Sequence, residues 1–202
     1  MAKHIIFLAF LLLSSQHIPV KISAEFALHS NPNPIEFIKE ECGSTRYPAL
    51  CIQCLSNYST TIQKSPWNLA QIALSISLSR ALYVSSFVSK LLTRKGMKPI
   101  VFRATKDCVD NIGNAVNQLT SSIKELEGMK RRMKNQDFLW HVSNVQTWVS
   151  SALTDQTTCL DGFSGSSTDG YAKVAIRSRV SYCAQVTSNA LALVNRFAAT
   201  HA

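Results

Sequence analysis

The sequence predicts an all-α protein: an antiparallel up-down-up-down four-helix bundle with an N-terminal helical hairpin, stapled by disulfides. Four long segments repeat apolar residues at spacings of three and four, the period of one helix face. Short connectors holding Pro, Gly and Ser separate them, and short connectors join antiparallel neighbours. No alternating run competes as a strand, and no internal repeat is present.

The elements follow in order. Met1-Ala2-Lys3-His4 leads into the apolar run Ile5 to Leu13, too short for a ~30 Å hydrocarbon core, which needs ~20 residues. A basic start, a short apolar stretch and the small-residue exit Ser23-Ala24 read as a secretory signal peptide over residues 1–24. Residues 25–202 then form one domain, with the hairpin at about 33–57 and the bundle at about 65–200. Nothing later reads as apolar enough to cross a membrane, so the mature chain is expected to be soluble, secreted and extracellular.

Asn33-Pro34 is a cap followed by a proline at the first helical position. A short helix would run to Cys42-Gly43, and a second starts near Tyr47-Pro48; a Cys42–Cys51 bridge would staple the pair. Ser65-Pro66 repeats the cap signal and opens a long helix closing near Lys95-Gly96. Its expected inward face is Leu69, Ile72, Ala73, Ile76, Ser79, Tyr83, Phe87 and Leu91. The next runs from Pro99 to about Gly128 with Val101, Cys108, Ile112, Ala115, Leu119, Ile123 and Leu126 inward. The third runs from about Asp137 to the Thr158-Cys159 region, with Phe138, His141, Val142, Val145, Trp148 or Val149, and Ala152 inward. The fourth begins near Tyr171 and turns Val174, Val180, Cys183, Leu191, Val194 and Phe197 inward, after a flexible loop from Gly162 to Gly170.

Catalysis finds no constellation. His29, His141 and His201 sit in unrelated segments, whereas a triad needs a histidine poised beside a nucleophile. His141 reads as a helix-face residue. There is no phosphate-binding glycine loop and no zinc-like spacing, so no metal and no cofactor are expected. Cys51-Ile-Gln-Cys54 is formally a redox motif but lacks a strand–helix context. Trp140 and Trp148, eight apart, are expected to pack in the core, with a binding anchor as the alternative.

All six cysteines lie beyond the leader, in a compartment that oxidises thiols, and spacing alone leaves their connectivity open. Asn57-Tyr58-Ser59 is a glycosylation sequon. Losing Lys3 and Lys21 with the leader lowers the formal charge of +9 by two. The remaining excess favours acidic polymers or acidic protein surfaces, screened by salt. A secreted chain rarely meets nucleic acid. The positives are scattered, apart from Lys130-Arg131-Arg132 with Lys134, which read as a solvated inter-helix loop.

Several stretches together carry a resemblance: "CGSTRYPALC", "LSNYSTTIQKSPWNLAQIALSISLSRA", "KDCVDNIGNAVNQL", "WVSSALTDQTTCLDGF" and "VTSNALALV". In this order they resemble the plant pectin methylesterase inhibitor and invertase inhibitor family, from about Asn33 to Phe197. The resemblance implies a hairpin projecting from a four-helix bundle, with bridges Cys42–Cys51 and Cys108–Cys159. An unpaired cysteine in the last helix would match Cys183. Cys54 departs from the pattern, and three fates stay open: a buried thiol, a bond to Cys183, or an intermolecular bond.

The implied function is a proteinaceous inhibitor, not an enzyme, that binds a cell-wall pectin methylesterase one to one and covers its substrate cleft. Acid invertase is the second target class, but "SNVQTWVSSALTDQTTC" lacks the Pro-Lys-Phe tripeptide that often marks it. A non-inhibitory matrix protein held on pectin by charge is the reading of another class. Carried over residue by residue, the enzyme contacts are Thr154, Thr158 and Asp161 around the second "TC", with Asn114 and Asn117 on the partner helix. Family members often carry acids at those last two positions, so the expected titration of the complex is weakened here.

Overall fold

The computed structural model describes residues 33–129, 135–168 and 170–200. The leader, His29, the Lys130–Lys134 cluster and His201 lie outside the described residues. Helix α1 spans Pro34–Gly43, α2 Pro48–Leu55 and α3 Ser59–Ile62, with a 3-10 turn Ser56–Tyr58 between the last two. The long helices are α4 (Pro66–Leu92), α5 (Pro99–Gly128), α6 (Asn135–Asp161) and α7 (Tyr171–Ala199).

The starts follow from local chemistry. Asn33 Oδ1 accepts from the Ile35 N–H at 3.1 Å, and Glu36 reaches back to the Asn33 N–H at 3.2 Å, a reciprocal cap that satisfies otherwise orphaned donors. Ser65 Oγ accepts from the Asn68 N–H. Gly96, at φ +82°, makes the turn between α4 and α5 in the left-handed region that a side chain would strain.

The long helices form a ring in which each packs on its sequence neighbour and α7 closes against α4. Antiparallel pairing shows in the bonds across three of the four seams. Cys108–Cys159, Gln118 to Asp155 and His141 to Glu125 join α5 and α6. Ser77–Thr187 at 2.7 Å and the Arg179 guanidinium 4.1 Å over Phe87 join α4 and α7. Gln146–Asn195 and the Phe138–Phe197 ring pair join α6 and α7.

The hairpin does not stand clear of the bundle. Ile38, Cys42, Cys51, Leu55 and Ile62 belong to the same core as the long helices. Asn189 of α7 accepts from the Tyr47 N–H at 3.1 Å and donates to the Tyr47 carbonyl at 2.9 Å, pairing the open backbone at the hairpin turn. Arg196 grips Glu41 with two guanidinium nitrogens, one at 2.9 Å. The projecting hairpin expected from the resemblance is therefore laid against α4 and α7 here.

Several expected core positions are corrected. In α4 the buried stripe is Leu69, Ala70, Ala73, Leu74, Ser77, Ala81, Val84, Val88 and Leu91. Ser79 is exposed, Tyr83 is 56% exposed, and Ile72, Ile76 and Phe87 are half-buried. This helix is apolar around much of its circumference, so the period settles a helix but not its phase; the inward stripe is the one with small residues. Val174 is 70% exposed because Ala175 and Ile176 take the core side of that turn, and Leu191 and Ile123 are half-buried. Trp140 is 63% exposed, its ring edge-on to His141, and Trp148 is half-buried. Phe138 holds the core stripe, and a residue two further on lies about 200° round the helix. By length and composition α4 could also cross a bilayer, its most apolar window having mean hydropathy 1.4; in this fold it is one wall of the bundle.

Candidate functional site

The Cys108–Cys159 disulfide and the Gln118–Asp155 bond fix the register of α5 against α6. In that register Asn114 stands level with the turn of α6 holding Thr154 to Thr158. Thr154, Thr158 and Asp161 fall four and three residues apart, so they form one row along α6, and all three are exposed. Asn114 and Asn117 are exposed on α5. Helical spacing puts Asn114 nearer the α6 seam and Asn117 on the outer side, away from the Cys108–Leu119 core stripe.

The row is held by its own helix. Thr154 Oγ1 donates to the Ser150 carbonyl at 3.1 Å, and Thr158 Oγ1 donates to the Thr154 carbonyl at 2.9 Å. Each hydroxyl proton is thus committed locally, and the outward oxygen remains an acceptor for a partner's donors. The Thr158 hydroxyl bond stays within α6 and reaches no other helix.

Sequence reasoning missed the neighbours of this row. A shallow groove of about 590 Å³ brings Gln146, Thr147, Ser150, Ser151, Thr154 and Asn195 together with Leu191. Its lining is uncharged hydroxyls and amides, a surface that recognises by hydrogen-bond geometry rather than by charge. The Ser and Thr spacing 147–150–151–154 along one helix was the available signal.

Electrostatics sharpen at the seam below the row. Burial pushes the Asp155 carboxyl above the usual carboxylate range. Burial works the same way on Glu125, but hydrogen bonds from Asn144 and His141, with the His141 charge, outweigh it and hold Glu125 below its ordinary value.

Both disulfides, Cys42–Cys51 and Cys108–Cys159, are present, and Cys54 and Cys183 are free thiols. Cys183 is buried and its pKa pushed up to about 12 by that burial, against smaller opposing effects from Thr187 and Arg80. Cys54 is half-buried with its Sγ 3.9 Å from the Tyr182 hydroxyl. A Cys54–Cys183 bond is therefore not formed. Asn57 is exposed on the 3-10 turn. Among the described residues, no three His, Cys, Asp or Glu side chains converge to hold a metal.

A family profile described as plant invertase/pectin methylesterase inhibitor matches residues 36–193. The chain belongs to that family. It is similar to pectinesterase inhibitor 9 of Arabidopsis thaliana, 50% identical over 165 residues and 81% of each chain. It is also similar to pectinesterase inhibitor 11 of the same plant, 41% identical over 98% of each chain. A crystal structure of a mutant form of a pectin methylesterase inhibitor from Arabidopsis superposes with a TM-score of 0.62 at 19% identity. The match covers 81% of this chain and 97% of that one, and it supports the fold. Membership in this family makes the chain an enzyme inhibitor rather than an enzyme.

Proposed function

We propose that this protein is a secreted inhibitor that docks on a plant pectin methylesterase one to one and covers its substrate cleft, limiting pectin de-esterification. The observation that carries this reading is the 50% identity, over 81% of each chain, to a protein named pectinesterase inhibitor 9. The docking face is the exposed α5–α6 surface: Thr154, Thr158 and Asp161, with Asn114 and Asn117 beside them. It needs no chemistry of its own. Rigid, pre-organised polar contacts lower the entropy cost of docking, and the Cys108–Cys159 bridge ties together the two helices that bear them.

Secretion rests on the leader reading of residues 1–24, with two disulfides fitting an oxidising compartment. Asn57, in a sequon and exposed, is the proposed glycosylation site. The test is a paired titration of the oxidised mature protein against a plant pectin methylesterase and a cell-wall invertase at mildly acidic pH. Dose-dependent loss of esterase activity alone is expected, and invertase inhibition alone would move the protein to the other target class. Thr154→Arg, at an exposed position, should weaken esterase inhibition at least about tenfold with the fold intact. An unchanged inhibition constant would place the contact face elsewhere.

A further inference from the structure

Between Glu41 and Asp107 the sequence holds no acidic residue, while Lys90, Arg94, Lys95, Lys98, Arg103 and Lys106 fall at the end of that span. The fold concentrates part of this charge. A cleft of about 290 Å³ opens between the α4–α5 turn and the start of α7, lined by Arg94, Lys95, Lys98, Thr168 and Tyr171 among others. Arg94, Lys95 and Lys98 have no acidic partner among the described residues.

Three further features belong to the same cleft. The Arg94 guanidinium stands 5.3 Å from the Tyr171 ring centroid, and Tyr171 is 63% exposed, which leaves ring surface open to solvent. The N-caps of α5 and α7, Lys98 and Gly170, both line it, and neither provides a side-chain cap. Neither helix has an acidic residue in its first turn. Two positive helix ends therefore add to the field of the side chains. In the sequence the nearby acids are Asp107, Asp161 and Asp169, the last directly before Gly170 and outside the described residues, against Arg94, Lys95, Lys98, Arg103 and Lys106.

We propose that this cleft binds an acidic polysaccharide, a chain of sugars bearing free carboxylates. Arg94 offers a planar fork matched to a carboxylate, and Lys95 and Lys98 supply point charges spaced along a strand of ligand. The exposed Tyr171 ring offers a flat apolar face for the C–H face of a pyranose. A cleft with an open aromatic platform fits an extended sugar chain better than the broad, desolvated patch of a protein interface. The proposal is independent of enzyme inhibition, since the cleft shares none of its lining with the Thr154 row.

The test measures direct binding, with no enzyme present, at low ionic strength. The probes are polygalacturonate, its fully methyl-esterified form of matched length, and poly-glutamate. Binding to polygalacturonate alone is expected. Arg94→Ser/Lys98→Ser should weaken it at least about tenfold and Tyr171→Ala by a smaller factor. Lys124→Ser, an exposed cation at the other end of α5, should leave it unchanged. Each variant is first checked for native helicity and melting temperature. Equal binding of the methyl ester, or poly-glutamate held as tightly, would overturn the proposal. So would a Lys124→Ser loss matching that of the double variant, or no binding at all. A parallel inhibition assay separates the two readings: the double variant should still inhibit.

Discussion

Gln156 is fully buried, yet neither its Oε1 nor its Nε2 has a hydrogen-bond partner among the described residues. It sits in the turn of α6 whose outer side carries Thr154 and Thr158, so its environment bears directly on the candidate face. A buried amide without partners costs roughly 1–3 kcal/mol. Gln156→Met should therefore raise the urea midpoint, by about 1–2 kcal/mol in stability, without loss of helicity. A lower midpoint would mean that the amide is satisfied in solution. Asn114 and Asn117 pose a different question at the same scale. An exposed carboxylate there would titrate near ~4, whereas an amide does not. Asn114→Asp/Asn117→Asp should make the Kd for the esterase change more steeply between pH 5 and pH 7 than it does in the native chain. Parallel profiles would remove these positions from the interface.

Pairs of elements set the acid response. Across the α5–α6 seam, Glu125 accepts from Asn144 at 3.0 Å and lies 2.8 Å from His141 Nδ1. Its folded-state pKa is lowered from the model-compound value of 4.5, so the unfolded chain binds the proton more readily. The stabilisation is present above 4.5 and is lost as pH falls through the lowered folded value. Glu125→Gln should flatten the acid limb of the stability–pH curve, read as thermal midpoints from pH 3 to pH 6. A native-shaped limb in the variant would assign the acid response to other carboxylates. Asp155, raised by burial, works with the opposite sign, losing stability as pH rises through 3.8 toward its folded value.

At the scale of the molecule, two disulfides close very different loops. Cys108 and Cys159 are 51 residues apart and tie α5 to α6, whereas Cys42 and Cys51 are 9 apart within the hairpin. In the chain-entropy description the longer closure contributes about 4 kcal/mol and the shorter about 2.5. Cys108→Ala/Cys159→Ala should therefore lose more stability in urea than Cys42→Ala/Cys51→Ala. The reverse order would mean that the short bridge acts through the hairpin's seat on Asn189 and Arg196 rather than through loop closure.

What the sequence determined by itself is local and periodic. Asn33 and Ser65 announce their helices because a cap is a bond between residues two or three apart. The stripe Val101–Cys108–Ile112–Ala115–Leu119 reads correctly because polar residues surround it and leave one apolar face. The exposed row Thr154, Thr158 and Asp161 is legible as a motif, and helical spacing alone puts it on one line. Tertiary structure decided the rest. The phase of α4 was not legible because apolar residues cover much of its circumference, and packing against α7 turns Ser77 and Ala81 inward rather than Ser79 and Tyr83. Asn189 reads as an ordinary helical asparagine until the Tyr47 backbone, 142 residues away, meets it. The cations of residues 90–106 look scattered along the chain, and the cleft exists only once the start of α7 is folded beside them. Charge and capping act over a few ångströms, and only the fold determines which distant residues come within that distance.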